Sequence, residues 1–184
     1  SFLHRPLSEV FAREVVSCKV FDRTGEVHFK ADSLSSSQDT VFYLQFSKTD
    51  EGDSAQDTPF GAQNVWADNY SAVYHLNEES GVFKNSTANE HDGVDNVSAS
   101  GKQGVFGKGQ EFNGSGDWIN CGTDIWTNNA EQTASIWFNR ISDQNCNTNH
   151  STSNVVLAKA SGHDNDNFEL GTQGPNVELY LDTD

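Results

Sequence analysis

The sequence predicts an all-β fold, an antiparallel β-sandwich, from three observations. Short runs that alternate apolar and polar residues, or are β-branched and aromatic, follow one another along the chain. Gly, Asn, Asp and Ser separate them, as turn formers do. No amphipathic stretch lasts long enough for a long helix, so the strands must cover their apolar faces with one another.

In chain order, Leu7–Arg13 offers one helical turn that Ser8 could cap. Strands are expected at Glu14–Phe21, Glu26–Lys30 and Val41–Phe46, with the polar run Ser33–Thr40 as a loop between the last two. The stretch Ser47–Asn64 holds Gly52, Pro59 and Gly61, with Phe60 its only large apolar residue, and reads as a linker between two packing units. Further strands are expected at Ala72–Leu76, Gly109–Phe112, Trp118–Cys121, Ala134–Arg140, Val155–Lys159, Asn167–Leu170 and Val177–Leu181. Trp66, Tyr70, Tyr74 and His75 are read as packing residues, and Trp137, flanked by Ile136 and Phe138, as sandwich core. His75 and Trp137 are therefore expected to be mostly buried and to touch no ligand.

Charge narrows the partners. With 11 Lys+Arg against 27 Asp+Glu, the net charge is −16, which repels nucleic acid and anionic lipid alike. No apolar run is long enough to cross a bilayer. Cys18, Cys121 and Cys146 form no metal-ligand spacing; Cys121 and Cys146 could bridge, or all three could be buried thiols.

Four pieces recur in order beyond the linker: "VWADNYSAVYHLNEESG", "NSTANEHDGV", "GKQGVFGKGQEFNGSGDWINCG" and "QTASIWFNRI". Together they resemble the start of LamG-like modules of the concanavalin A-like lectin/glucanase superfamily. The part before the linker, "GEVHFKADSLSSSQDTVFYLQFS", resembles the second half of a small bacterial β-domain of unknown function that precedes such modules. The resemblance implies a jelly-roll β-sandwich over residues 65–184, a linker at 47–64 and part of a second small β-domain at 1–46. It further implies an extracellular, cell-surface or periplasmic recognition module for a glycan or a protein, without catalysis. Two alternatives stay open: a structural domain of a surface, phage or envelope assembly, and the ectodomain of a proton-channel-type membrane complex. Both resemblances look partial, so the chain is expected to be an excerpt, or to be completed by strands from a neighbouring copy, with homo-oligomer contacts as one route.

Glycoside hydrolysis ranks last, because it needs two carboxylates set across a cleft. Glucanases of the superfamily carry them as Glu-x-Asp-x-x-Glu on one strand, and "ELYLDTD" has the wrong spacing. No G-x-S-x-G, H-E-x-x-H or phosphate-cradling Gly loop is present. For a ligand, the aromatic rings of Trp118 and Trp126 with Asn128 and Asn129 nearby give the platform and polar groups that a sugar needs. For a metal, the Gly-flanked loop Asp164, Asn165, Asp166, Asn167 offers hard oxygens of the kind Ca²⁺ prefers, with Asp117 as a second candidate.

Overall fold

The structure is a computed structural model and describes residues 11–19, 21–44, 54–123, 125, 131–142, 154–160 and 166–181. Its regular elements are β1 (Arg13–Lys19), β2 (Thr24–Phe29), α1 (Ala62–Val65), β3 (Val94–Asn96), β4 (Ala99–Gln103), β5 (Lys108–Glu111), β6 (Trp118–Asn120), β7 (Asn154–Ala160), β8 (Asp166–Gln173) and β9 (Asn176–Leu181). The fold is all-β, its one described helix being a four-residue turn. The strands form three antiparallel pairs, β1-β2, β3-β6 and β4-β5, and one three-stranded meander, β7-β8-β9.

The β1-β2 hairpin presents one polar and one apolar face. Glu14 lies opposite His28, and Val15 opposite Val27. Because strand side chains alternate faces, Glu14, Glu26 and His28 share one face, while Val15, Val27 and Phe29 share the other. On the apolar face Phe11, Phe29 and Phe42 meet with ring centroids 4.9–6.1 Å apart. The register slips between Val15 and Ser17, leaving Val16 as an extra residue in a bulge. Its carbonyl is free to accept a hydrogen bond from Asn77 Nδ2 at 3.2 Å.

The end of the segment expected as a linker is folded. Arg13 donates its backbone N–H to Phe60 at 3.0 Å, and Ala62 and Val65 of α1 are buried beside β1. A Cβ at Gly61 would come within 2.1 Å of the Ala55 carbonyl oxygen, a distance that only glycine avoids. Hydrogen bonds thus connect the hairpin with residues on the far side of the segment, at Trp66, His75, Asn77 and Ser86.

Residues 71–93 form a loop-rich layer tied by single bridges, Tyr74 to Asn85 and Phe83 to Gly93. Phe83 is fully buried, and Gly93 allows its approach: a Cβ there would stand 3.2 Å from that of Phe83 and 2.7 Å from Ile119 Cγ2. Beside it Asn85, Ser86 and Thr87 are buried polar residues. Asn85 Oδ1 accepts from the Val73 and Thr87 backbone N–H groups, and its Nδ2 donates to the Asn89 carbonyl.

Several sequence expectations are corrected. Ala134–Arg140 is irregular backbone, and Trp137 is 73% exposed, touching Phe106 edge-on. Alternation alone did not make a buried strand, since no described strand pairs with this segment. Residues 41–44 are likewise irregular and largely exposed, apart from the contacts of Phe42. Ala72–Leu76 is reduced to one bridge at Tyr74. Arg13 opens a strand instead of closing a helical turn, and residues 7–10 lie outside the described residues. β3 and β4 were not anticipated, because Asp95, Asn96, Lys102 and Gln103 give them little apolar alternation.

Candidate functional site

Two clusters of chemistry-bearing side chains stand out. The first lies along the β3-β6 pair, where Asn96 faces Trp118 across the ladder. The Asn113 side chain closes a tight turn by accepting from the Ser115 and Gly116 backbone N–H groups at 2.8 and 3.1 Å. This aims Asn113 at Asp117, whose Oδ1 accepts from Asn113 Nδ2 at 2.9 Å. Asp117 Oδ2 accepts from Ser98 Oγ at 2.7 Å and the Asn113 backbone N–H at 3.0 Å. The Ser98 hydroxyl first, then the backbone N–H bonds, hold the Asp117 carboxyl below the ordinary carboxylate range. Asp95, Asn96, Val97, Ser98 and Asp117 line an open, polar depression, and next to Asp117 the Trp118 ring is 49% exposed.

Of the residues the sequence suggested, Asp117 lines this depression, while Trp118, its neighbour in the chain, is half exposed and is not one of the lining residues. Trp126, Asn128, Asn129, Asp164 and Asn165 lie outside the described residues. Asp166 and Asn167 belong to the backbone of β8, with Asp166 paired to Ala160, so the expected Asx-rich loop gives way to strand at Asp166. The Asp117 oxygens serve the 113–117 turn, each accepting at least one protein donor.

The second cluster was not anticipated as a site. It joins the polar face of the β1-β2 hairpin to Trp66, His75 and Ser86. Glu14 Oε2 accepts from Trp66 Nε1 at 2.6 Å and pairs with His75 Nε2 at 3.0 Å, while Ser86 Oγ donates to Oε1 at 2.5 Å. Burial alone would raise the Glu14 carboxyl, but the hydrogen bonds from His75, Ser86 and Trp66 outweigh it and hold it below the ordinary range. A carboxylate can only accept, so in the His75–Glu14 bond His75 Nε2 is the donor. In the neutral ring, Nδ1 then presents a lone pair.

A second carboxylate stands near the other ring nitrogen. His75 Nδ1 is 3.9 Å from Glu26 Oε1, and His28 Nε2 is 2.8 Å from the same oxygen. The His28 and His75 rings stack with centroids 5.0 Å apart, and Trp66 packs on His28 at 5.2 Å and edge-on against Tyr70 at 5.1 Å. His75 is mostly buried, its side chain 15% exposed, as the sequence led one to expect. A Cβ at Gly107, in the turn between β4 and β5, would lie 3.7 Å from Glu26 Oε2.

The sequence held one local signal for this cluster: Glu26 and His28 sit two apart on an expected strand, hence on one face. Glu14, Trp66, His75 and Ser86 are brought in over separations of up to 72 residues, for which no spacing rule exists. As chemistry, the Ser86 hydroxyl donates its hydrogen bond to a carboxylate and not to an imidazole, unlike a Ser-His-acid nucleophile, in which the imidazole is the middle member.

Comparison of the chain with protein-family models, curated proteins and solved structures finds no match.

Proposed function

We propose that this protein is a non-catalytic recognition module that binds carbohydrate, acting outside the cell, at its surface or in the periplasm. In this reading the β-rich chain contributes to a LamG-like jelly roll of the concanavalin A-like kind. The observation that supports it is that the half-exposed Trp118 follows directly in the chain on Asp117, which with Asp95, Asn96, Val97 and Ser98 lines an open depression. A sugar ring has an apolar C–H face that stacks on an aromatic ring, and a rim of hydroxyls that carboxylate and amide groups can hydrogen-bond. A net charge of −16 favours neutral glycans over sulfated or phosphorylated ones. The test is a glycan array with the purified chain, followed by calorimetry on the best ligand. Trp118→Ala should weaken binding at least tenfold while shifting thermal stability little. Undiminished binding by that variant refutes the assignment of the site.

A second reading, an assembly domain, has its own support. On β9, Val177, Leu179 and Leu181 fall on one face and are each 60–64% exposed, while Glu178 and Tyr180 are less so. Such an alternating apolar stripe suits a contact with another chain. A concentration-dependent dimer that Leu179→Lys abolishes would favour it.

A further inference from the structure

The residues Glu26, His28 and His75 offer three ligating atoms that all lie within 4.8 Å of one another. We propose that they form a binding site for a divalent transition-metal ion of the zinc class, with Glu14 positioning His75. The donor set is two imidazoles and one carboxylate, which suits zinc and its neighbours; Ca²⁺ takes oxygen ligands instead.

Geometry supports it on three counts. A tetrahedral ion with bonds of about 2.0–2.1 Å separates its ligands by roughly 3.3 Å. His28 Nε2 and Glu26 Oε1 stand 2.8 Å apart and His75 Nδ1 and Glu26 Oε1 3.9 Å apart, on either side of that spacing. Small side-chain rotations would place all three on one ion. Next, the ring of His75 is oriented for the task. A metal-bound imidazole usually donates its other N–H to a carboxylate, which fixes the tautomer and raises the basicity of the ligating nitrogen. Glu14 does this at His75 Nε2, and is held in turn by Trp66 and Ser86. Last, the site is sheltered yet reachable: the Glu26 and His75 side chains are 17% and 15% exposed, and that of His28 34%. Water would complete the coordination.

On binding, the His28 ring takes the tautomer with its proton on Nδ1: the Nε2 proton shared with Glu26 is given to solvent, Nδ1 takes one from solvent, and the Nε2 lone pair becomes a ligand of the ion. Since Glu26 and His28 belong to β2 and His75 to the 71–93 layer, the ion would cross-link the hairpin to the rest of the chain. This site is independent of the sugar-binding reading.

The test uses the whole 184-residue chain with Zn²⁺ and Co²⁺ as probes. Calorimetry should give one high-affinity equivalent of Zn²⁺ and a higher melting temperature. Long-range nitrogen–proton spectra of the unmutated protein, which has 6 histidines, should show ring-nitrogen shifts at His28 and His75 when Zn²⁺ is added. Co²⁺ should give the visible absorption of a low-coordinate site. His28→Gln and Glu26→Gln should each weaken Zn²⁺ binding at least tenfold. Glu14→Gln should weaken it by about 10–100-fold and change the His75 tautomer signature in the metal-free spectra. Absence of the high-affinity equivalent, ring shifts confined to other histidines, or undiminished affinity in both ligand variants overturns the proposal. The spectra need no mutation, so they decide the matter even if a variant fails to fold.

Discussion

Replacing Glu14 by Gln removes a charge and leaves nearly the same shape, which makes it the sharpest probe of the interior. Three donors meet the carboxylate, from Trp66, His75 and Ser86, and its side chain is only 12% exposed. Glutamine can keep its carbonyl oxygen toward Trp66 and His75 and turn its NH₂ toward Ser86, whose hydroxyl can rotate to accept. The contacts then survive, and only their charge assistance is lost. Hydrogen bonds to a charged group contribute about 1.5–3 kcal/mol against about 0.5–1.5 for neutral ones, so three of them lose roughly 3 kcal/mol. The neutral amide is cheaper to bury than a carboxylate, which offsets part of this and leaves a net destabilisation of about 2 kcal/mol. For a chain of this size that corresponds to a melting temperature lower by about 4–8 °C. The sign with pH follows from the lowered carboxyl. The contribution of Glu14 is fully present above its ordinary value of 4.5 and is lost as pH falls through the lower folded value. Urea unfolding followed by tryptophan fluorescence, with Trp66 in the cluster, should show the full gap between protein and variant at neutral pH. The gap should narrow at strongly acidic pH. A variant as stable as the parent at neutral pH, or a gap that does not respond to acid, would refute the reasoning.

Single positions give further expectations. Phe83→Ala should cost about 3–5 kcal/mol in denaturant unfolding, because the ring is wholly buried and Gly93 and Ile119 cannot close over the space. Gly61→Ala should destabilise by about 1–3 kcal/mol in calorimetry, since the added methyl meets the Ala55 carbonyl oxygen and backbone must shift. Cys18 is exposed, whereas burial pushes the Cys121 thiol up, with Tyr74 hydrogen-bonded to it opposing the shift. A thiol reagent at mildly alkaline pH, followed by peptide mass mapping, should therefore modify Cys18 well before Cys121.

Legibility divides along physical lines. The hairpin β1-β2, strand β6 and the meander β7-β8-β9 could be read from sequence because each alternates or is β-branched between turn formers. β3 and β4 could not, since their pairing rests on backbone bonds between polar residues. Trp137 shows the opposite failure: flanking Ile136 and Phe138 gave a strand-like pattern, yet the ring is exposed. At the sites, Trp118 and Asp117 were visible as an aromatic beside acids in a Gly-rich hairpin. The Glu14 cluster was hidden because its members come from distant segments, over which no periodicity runs. The stretch Val65–Glu78 holds both outcomes, with His75 buried as expected and yet part of a candidate metal site.

The polar character of the interior bears on how the protein responds to temperature. Among the described residues, Ala62, Val65 and Phe83 are the buried hydrophobics, while Asn85, Ser86, Thr87 and Thr172 are buried polar ones. Exposing apolar surface on unfolding raises the heat capacity by about 0.45 cal/K/mol per Å², and exposing polar surface lowers it by about 0.26. The part of the interior formed by these described residues contributes little to the heat-capacity increment, and so little to the curvature of the stability curve. The stabilisation these residues supply then varies gently between cold and warm conditions, because directional bonds, unlike apolar burial, do not fade on cooling.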